Sequence, residues 1–121
     1  MTPRGLLLPI QWVGSSLDDL RSFPEAVRDV MGYALYLAQC GERHGAVKLL
    51  RGQLRGLKQV SYSYLGNAYR VVYTSRLRGA VYVLHAFRKK AKRGTATPSA
   101  DVDLIKRRYC LAKGHQQSAG E

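Results

Sequence analysis

The stretch Val81-Tyr82-Val83-Leu84-His85-Ala86-Phe87-Arg88-Lys89-Lys90-Ala91-Lys92-Arg93 changes character halfway along. It opens as a near-continuous apolar run, the pattern of a strand buried on both faces. It then passes, without a spacer, into five cations among the six residues 88–93. A buried strand that runs straight into charge delivers that charge to a fixed place at the edge of a core. A solvated basic tail needs no such attachment. The arrangement points to a site for polyanion backbone, with nucleic acid the first choice.

The neighbouring segments supply a sheet for this strand. Tyr69-Arg70-Val71-Val72-Tyr73-Thr74 reads as the strand before it, linked through Arg78-Gly79. Earlier still, Val60, Tyr62 and Tyr64 alternate with Ser61 and Ser63, as in a half-exposed strand, and Gly66-Asn67 marks the turn between the two. Three consecutive strands with tight links predict an antiparallel meander. Downstream, residues 94–97 form a flexible link. Thr97 is the expected cap and Pro98 the first position of a last helix. Asp101 and Asp103 near its start, with Lys106, Arg107 and Arg108 further along, suit the helix dipole. Val102, Ile105, Tyr109 and Cys110 form its expected inward stripe. Gly114 is expected to end it.

In the N-terminal half, residues 6–13 predict a first strand. Ser15 and Ser16 offer caps for a short helix over 17–21, and Ser22 caps a second helix that opens at Pro24 and runs to about Gln39. Val27, Val30, Met31, Ala34, Leu37 and Ala38 give that helix one buried face. Residues 42–58, with three glycines and several cations, predict a loop with one helical turn over 47–50. The order is strand, helix pair, three-stranded meander, helix: an α+β domain with helices on an antiparallel sheet. At 121 residues the chain is expected to be one domain over 1–121, with an ordered core over about 6–113 and a flexible tail over 114–121.

Charge narrows the function. Twenty Lys and Arg against eight Asp and Glu give a formal net charge of +12. The pI of about 10.2 is above the level that flags a nucleic-acid-binding domain. Between Glu42 and Asp101 there is no acidic residue at all, so the middle of the chain is the electropositive part. No stretch approaches the ~20 apolar residues of a spanning helix, so no membrane partner is expected. The N-terminal apolar centre is interrupted by Pro9 and too short for a secretory signal. Cys40 and Cys110 read as reduced thiols of a cytoplasmic protein.

His44, His85 and His115 are scattered and the cysteines do not join them, so no metal site and no cofactor are expected. The glycines match no phosphate-loop pattern. Metal-free phosphodiester chemistry remains: an RNA 2′-hydroxyl attacks the phosphate when a base removes its proton, cations stabilise the phosphorane, and an acid protonates the leaving oxygen. Arg70 is the first candidate, because a guanidinium inside an apolar strand is costly without a partner and its fork holds phosphate. Lys89 and His85 complete the candidate catalytic set, with a hydrogen-bonded core histidine as the other reading of His85. Arg55, Lys58, Tyr73, Arg88, Lys90, Lys92 and Arg93 are candidate RNA-binding residues.

Residues 12–24 (Trp-Val-Gly-Ser-Ser-Leu-Asp-Asp-Leu-Arg-Ser-Phe-Pro), Tyr69-Arg70-Val71-Val72-Tyr73, Val83-Leu84-His85-Ala86-Phe87-Arg88-Lys89-Lys90, and Thr97-Pro98 followed by residues 101–108 carry a family resemblance. With residues 34–39 they resemble the RelE/HigB toxins, in the phage-derived HigB-like branch, over about residues 9–112. The resemblance implies a RelE-like fold and the toxin role of a type II toxin–antitoxin system. It implies an mRNA endoribonuclease acting in the A site of the ribosomal 30S subunit, neutralised by a HigA-like helix-turn-helix antitoxin. It places the transition-state arginine at Arg70 and basic residues of the last strand at Arg88, Lys89 and Lys90. Relatives often carry charges on the first strand of the meander, where this chain has Gln59, Ser61 and Ser63. The fold also occurs in toxins that poison gyrase, and a plain basic nucleic-acid-binding module is the remaining alternative.

Overall fold

A computed structural model describes residues 7–77, 79–90 and 97–119, with side chains at all of these except 90 and 115–119. The elements are β1 (Ile10–Trp12), α1 (Ser16–Arg21), α2 (Glu25–Gln39), β2 (Val47–Leu49), a 3-10 turn (Gly52–Leu54), β3 (Lys58–Tyr64), β4 (Asn67–Thr74), β5 (Val81–Lys90) and α3 (Ser99–Ala119). The strands form one mixed sheet in the order β1-β5-β4-β3-β2. β1 lies parallel to β5 and every other pair is antiparallel. The chain is thus α+β, with helices on both faces of the sheet.

β5 sits between β1 and β4, and residues 81–87 are all buried. Each Val, Leu or Phe enclosed this way contributes about 1.5–3 kcal/mol. One face of the sheet packs Val60, Val71, Tyr73, Val81 and Val83 against Val27, Met31, Ala34, Leu35 and Ala38 of α2. The other packs Val72, Tyr82, Leu84 and Phe87 against Leu54, Leu57 and, from α3, Ile105 and Ala112.

Several expectations need correction. The antiparallel run has four strands, because residues 47–49 are a strand and not a helical turn. Val47 enters the core and pairs with Val60, a gain in tertiary packing that no local pattern of three residues encodes. The first described strand is shorter than expected and starts at Ile10. Ser22 does not cap α2; its hydroxyl donates to the Asp19 carbonyl at 2.6 Å and closes α1. The β3–β4 turn is centred on Leu65-Gly66, one residue earlier than expected, with φ of 49° and 81°. Two positive φ values give a turn that matches the strand twist. α3 does not stop at Gly114 but runs to Ala119, so most of the expected tail is helical. A mid-helix glycine costs only about 1 kcal/mol. Cys110 is exposed, and Ala112 takes its place in the buried stripe.

Candidate functional site

The register of β4 with β5 builds the site. Val72 faces His85 and Tyr73 faces Val83, so Leu84 has no partner on β4. This one-residue bulge reverses the alternation of side chains along the rest of β5. Val83 and Ala86 point into the α2-side core, while Leu84 and Phe87 point into the α3-side core. His85 follows the α3 side, where its ring stacks on Phe87 at 4.6 Å between centroids. Lys89, two residues beyond Phe87, shares that face, and Arg88 faces the other way beside Tyr69.

Arg70 lies on the same α3-side face, directly across from Phe87 and Ser61. It is only 5% exposed. Its Nε and Nη1 are enclosed and have no hydrogen-bond partner, and no carboxylate pairs with it among the described residues. A buried guanidinium without a counter-charge is unfavourable in an isolated fold. A guanidinium is the side chain whose geometry matches an oxyanion. Gln59, 2% exposed, reaches the same face with Oε1 unpartnered and Nε2 donating to Ser61 Oγ at 3.2 Å.

His85 is held by Asp101 in the first turn of α3. Nε2 donates to Asp101 Oδ1 at 2.7 Å. A carboxylate only accepts, so the shared proton belongs to Nε2, and a ring carrying that proton alone has Nδ1 as an acceptor. Nδ1 is enclosed and unpartnered. Arg70, His85 and Lys89 therefore share one face of the sheet, with Gln59, and Asp101 reaches His85 from α3.

The expected RNA-binding residues do not gather there. Tyr73 lies on the α2 side, fully buried, and offers no surface to a base. Burial pushes its phenol up to about 12. Arg88 is exposed and lines a small pocket with Asp19, Phe23 and Tyr69. Arg55 and Lys58 line a wide groove at the β2 edge of the sheet. Lys90 ends β5 opposite Asn67, its side chain outside the described residues, as are Lys92 and Arg93.

Sequence reading assigned Asp101 to the helix dipole and missed its pairing. One signal was present: a histidine in a buried strand needs a partner, and Asp101 is the first acid after Glu42. Among the described residues, no His, Cys, Asp and Glu side chains converge as a metal set, and no helix is long and apolar enough to cross a membrane.

Fold and site define a small, strongly basic α+β protein whose sheet face carries a buried arginine with unpartnered nitrogens and a histidine hydrogen-bonded to a carboxylate. Residues 18–110 match the family described as Phage derived protein Gp49-like (DUF891). The match covers most of the chain, including Arg70, His85 and Asp101. The chain belongs to that family, which is associated with the toxins of toxin–antitoxin pairs. No curated protein matches it.

Proposed function

We propose that the protein is the toxin of a type II toxin–antitoxin pair, of the RelE/HigB kind, and that it cleaves mRNA on the ribosome without a metal. A HigA-like antitoxin is the partner that silences it. The carrying observation is Arg70, a buried guanidinium with two unpartnered nitrogens and no counter-charge among the described residues.

In this reading His85 Nδ1 takes the proton of the RNA 2′-hydroxyl, while Asp101 holds the ring and stabilises the imidazolium that forms. The 2′-oxygen attacks the adjacent phosphorus. Arg70 donates to the non-bridging oxygens as charge accumulates on them, the step at which fixed donors act most strongly. Lys89 gives a proton to the departing 5′-oxygen. The products are a 2′,3′-cyclic phosphate and a 5′-hydroxyl. Gln59 and Ser61, standing where relatives often carry charges, position rather than activate. The reacting atoms are enclosed, so the face opens as RNA enters.

The test is cleavage mapping on translating ribosomes with the wild type and Arg70→Ala. Cleavage by the wild type and its loss in the variant are expected. Equal cutting by both would remove Arg70 from catalysis. Induction that triggers a DNA-damage response before translation stops would favour gyrase as the target.

A further inference from the structure

A second electropositive feature lies apart from Arg70. A groove of about 1250 Å³ follows the β2 edge and is lined by Arg43, Lys48, Arg51, Arg55, Lys58 and Arg76. No acidic residue lines it among the described residues. It exceeds the range of about 300–1,000 Å³ typical of small-molecule pockets and suits a length of polymer.

Two of the cations are held in place by neutral neighbours. Lys58 Nζ donates to Ser75 Oγ at 3.0 Å. Arg76 lies against the backbone of Gly56, where φ is +94° and an added Cβ would stand 2.9 Å from Nη1. Burial first, and then the charges of Arg43 and Arg76, hold the Lys58 ammonium below the usual lysine range. The groove is therefore self-repelling, and an anion in it relieves the repulsion. Thr97, which leads into α3, also lines it. Four residues on, Asp101 holds His85, so one lining residue of the groove belongs to the segment that leads to the proposed reaction centre.

We propose that this groove binds the phosphodiester backbone of single-stranded RNA and guides it toward the Arg70 face. The identity of the polymer rests on the proposed function; the existence of the site does not. Arginine forks match phosphate geometry, and a basic groove along the backbone is how single strands are held without sequence readout. An acidic protein would instead need apolar or aromatic anchors, and Leu49 is the one strongly exposed apolar residue lining the groove among those described.

The experiment measures binding and leaves cleavage out of the readout. A fluorescent 2′-O-methyl oligouridylate, which lacks the attacking hydroxyl, is titrated at several salt concentrations. The wild type is compared with Arg51→Gln/Arg55→Gln, with Arg43→Gln/Lys48→Gln, and with the charge-matched control Arg21→Gln/Arg28→Gln. Thermal melts check folding, and the two groove pairs guard against one of them failing to fold. Each groove pair is expected to lose about tenfold in affinity. Its log–log salt slope becomes shallower by about 1.4, at about 0.7 per single-strand phosphate contact. The control keeps the wild-type affinity and slope. Wild-type binding by both groove pairs, or an equal loss in the control, overturns the site. Displacement of the RNA by poly-glutamate as effective as by unlabelled RNA overturns the RNA assignment in favour of an acidic protein partner. Groove-dependent binding together with no cleavage by the wild type in the ribosome mapping would sink the proposed nuclease and leave the groove standing.

Discussion

Arg108 of α3 donates from Nη1 to the carbonyl of Leu84, at 2.9 Å, at the bulge where β5 has no partner on β4. Its Nη2 donates to Ser15 Oγ at 3.1 Å. The guanidinium lies over Gly14, where φ is +59° and an added Cβ would stand 2.8 Å away. One side chain thus ties α3, the β5 bulge and the entry to α1 together. The bulge in turn keeps His85 on the Arg70 face. Arg108→Ala is expected to cost about 2 kcal/mol, the loss of a charged donor to a buried carbonyl, read from urea unfolding. Gly14→Ala should cost a similar amount by displacing the same guanidinium, and the double variant should lose less than the sum.

Arg70 sets stability against function. Replacing an uncompensated buried charge with an apolar chain of similar length removes a desolvation penalty. Arg70→Met should therefore melt at or above the wild-type temperature while losing about 10²–10³-fold in cleavage rate. A variant that unfolds instead would show that Arg70 holds the sheet together.

His85 and Asp101 should act as a unit. Single-turnover cleavage by His85→Gln is expected to fall about 10²–10⁴-fold. Asp101→Asn, which disturbs ring orientation and tautomer, should reproduce most of that loss, and the double variant should be little worse than His85→Gln alone. Strictly multiplicative losses would mean two independent roles.

Tyr73 predicts an alkaline weakness. Its phenol, pushed by burial from 10.0 to about 12, keeps its proton in the folded chain while the unfolded chain ionises. Its stabilising contribution is therefore complete below pH 10 and is lost as pH rises toward about 12. Its hydroxyl is also buried and unpartnered. Tyr73→Phe should gain about 1 kcal/mol near neutrality and show a smaller drop in urea midpoint between about pH 9 and about pH 11.

Legibility followed the range of the interactions involved. The helix spacing of Val27, Met31, Ala34 and Ala38 and the apolar run of β5 are local patterns, and each element formed where the pattern stood. β2 was missed because three residues carry no periodicity; only pairing with β3 makes them a strand. Arg70 stood out as charge within an apolar strand. Gln59 and Asp101 did not, because a glutamine in an alternating strand and an acid in a first helical turn both have ordinary local explanations.

The sequence by itself determined the class of the molecule: an α+β core and an acid-free basic middle segment, with Arg70 and His85 on neighbouring strands. Periodicity and charge are written residue by residue. Only the tertiary structure decided which side chains share a face. One unpaired residue, Leu84, reverses the alternation of β5. It brings His85 and Lys89 to Arg70 and sends Arg88 to the other side. No composition or period marks that bulge, because it arises where β5 fits β4 on one side and Arg108 of α3 takes up the carbonyl that the register leaves over.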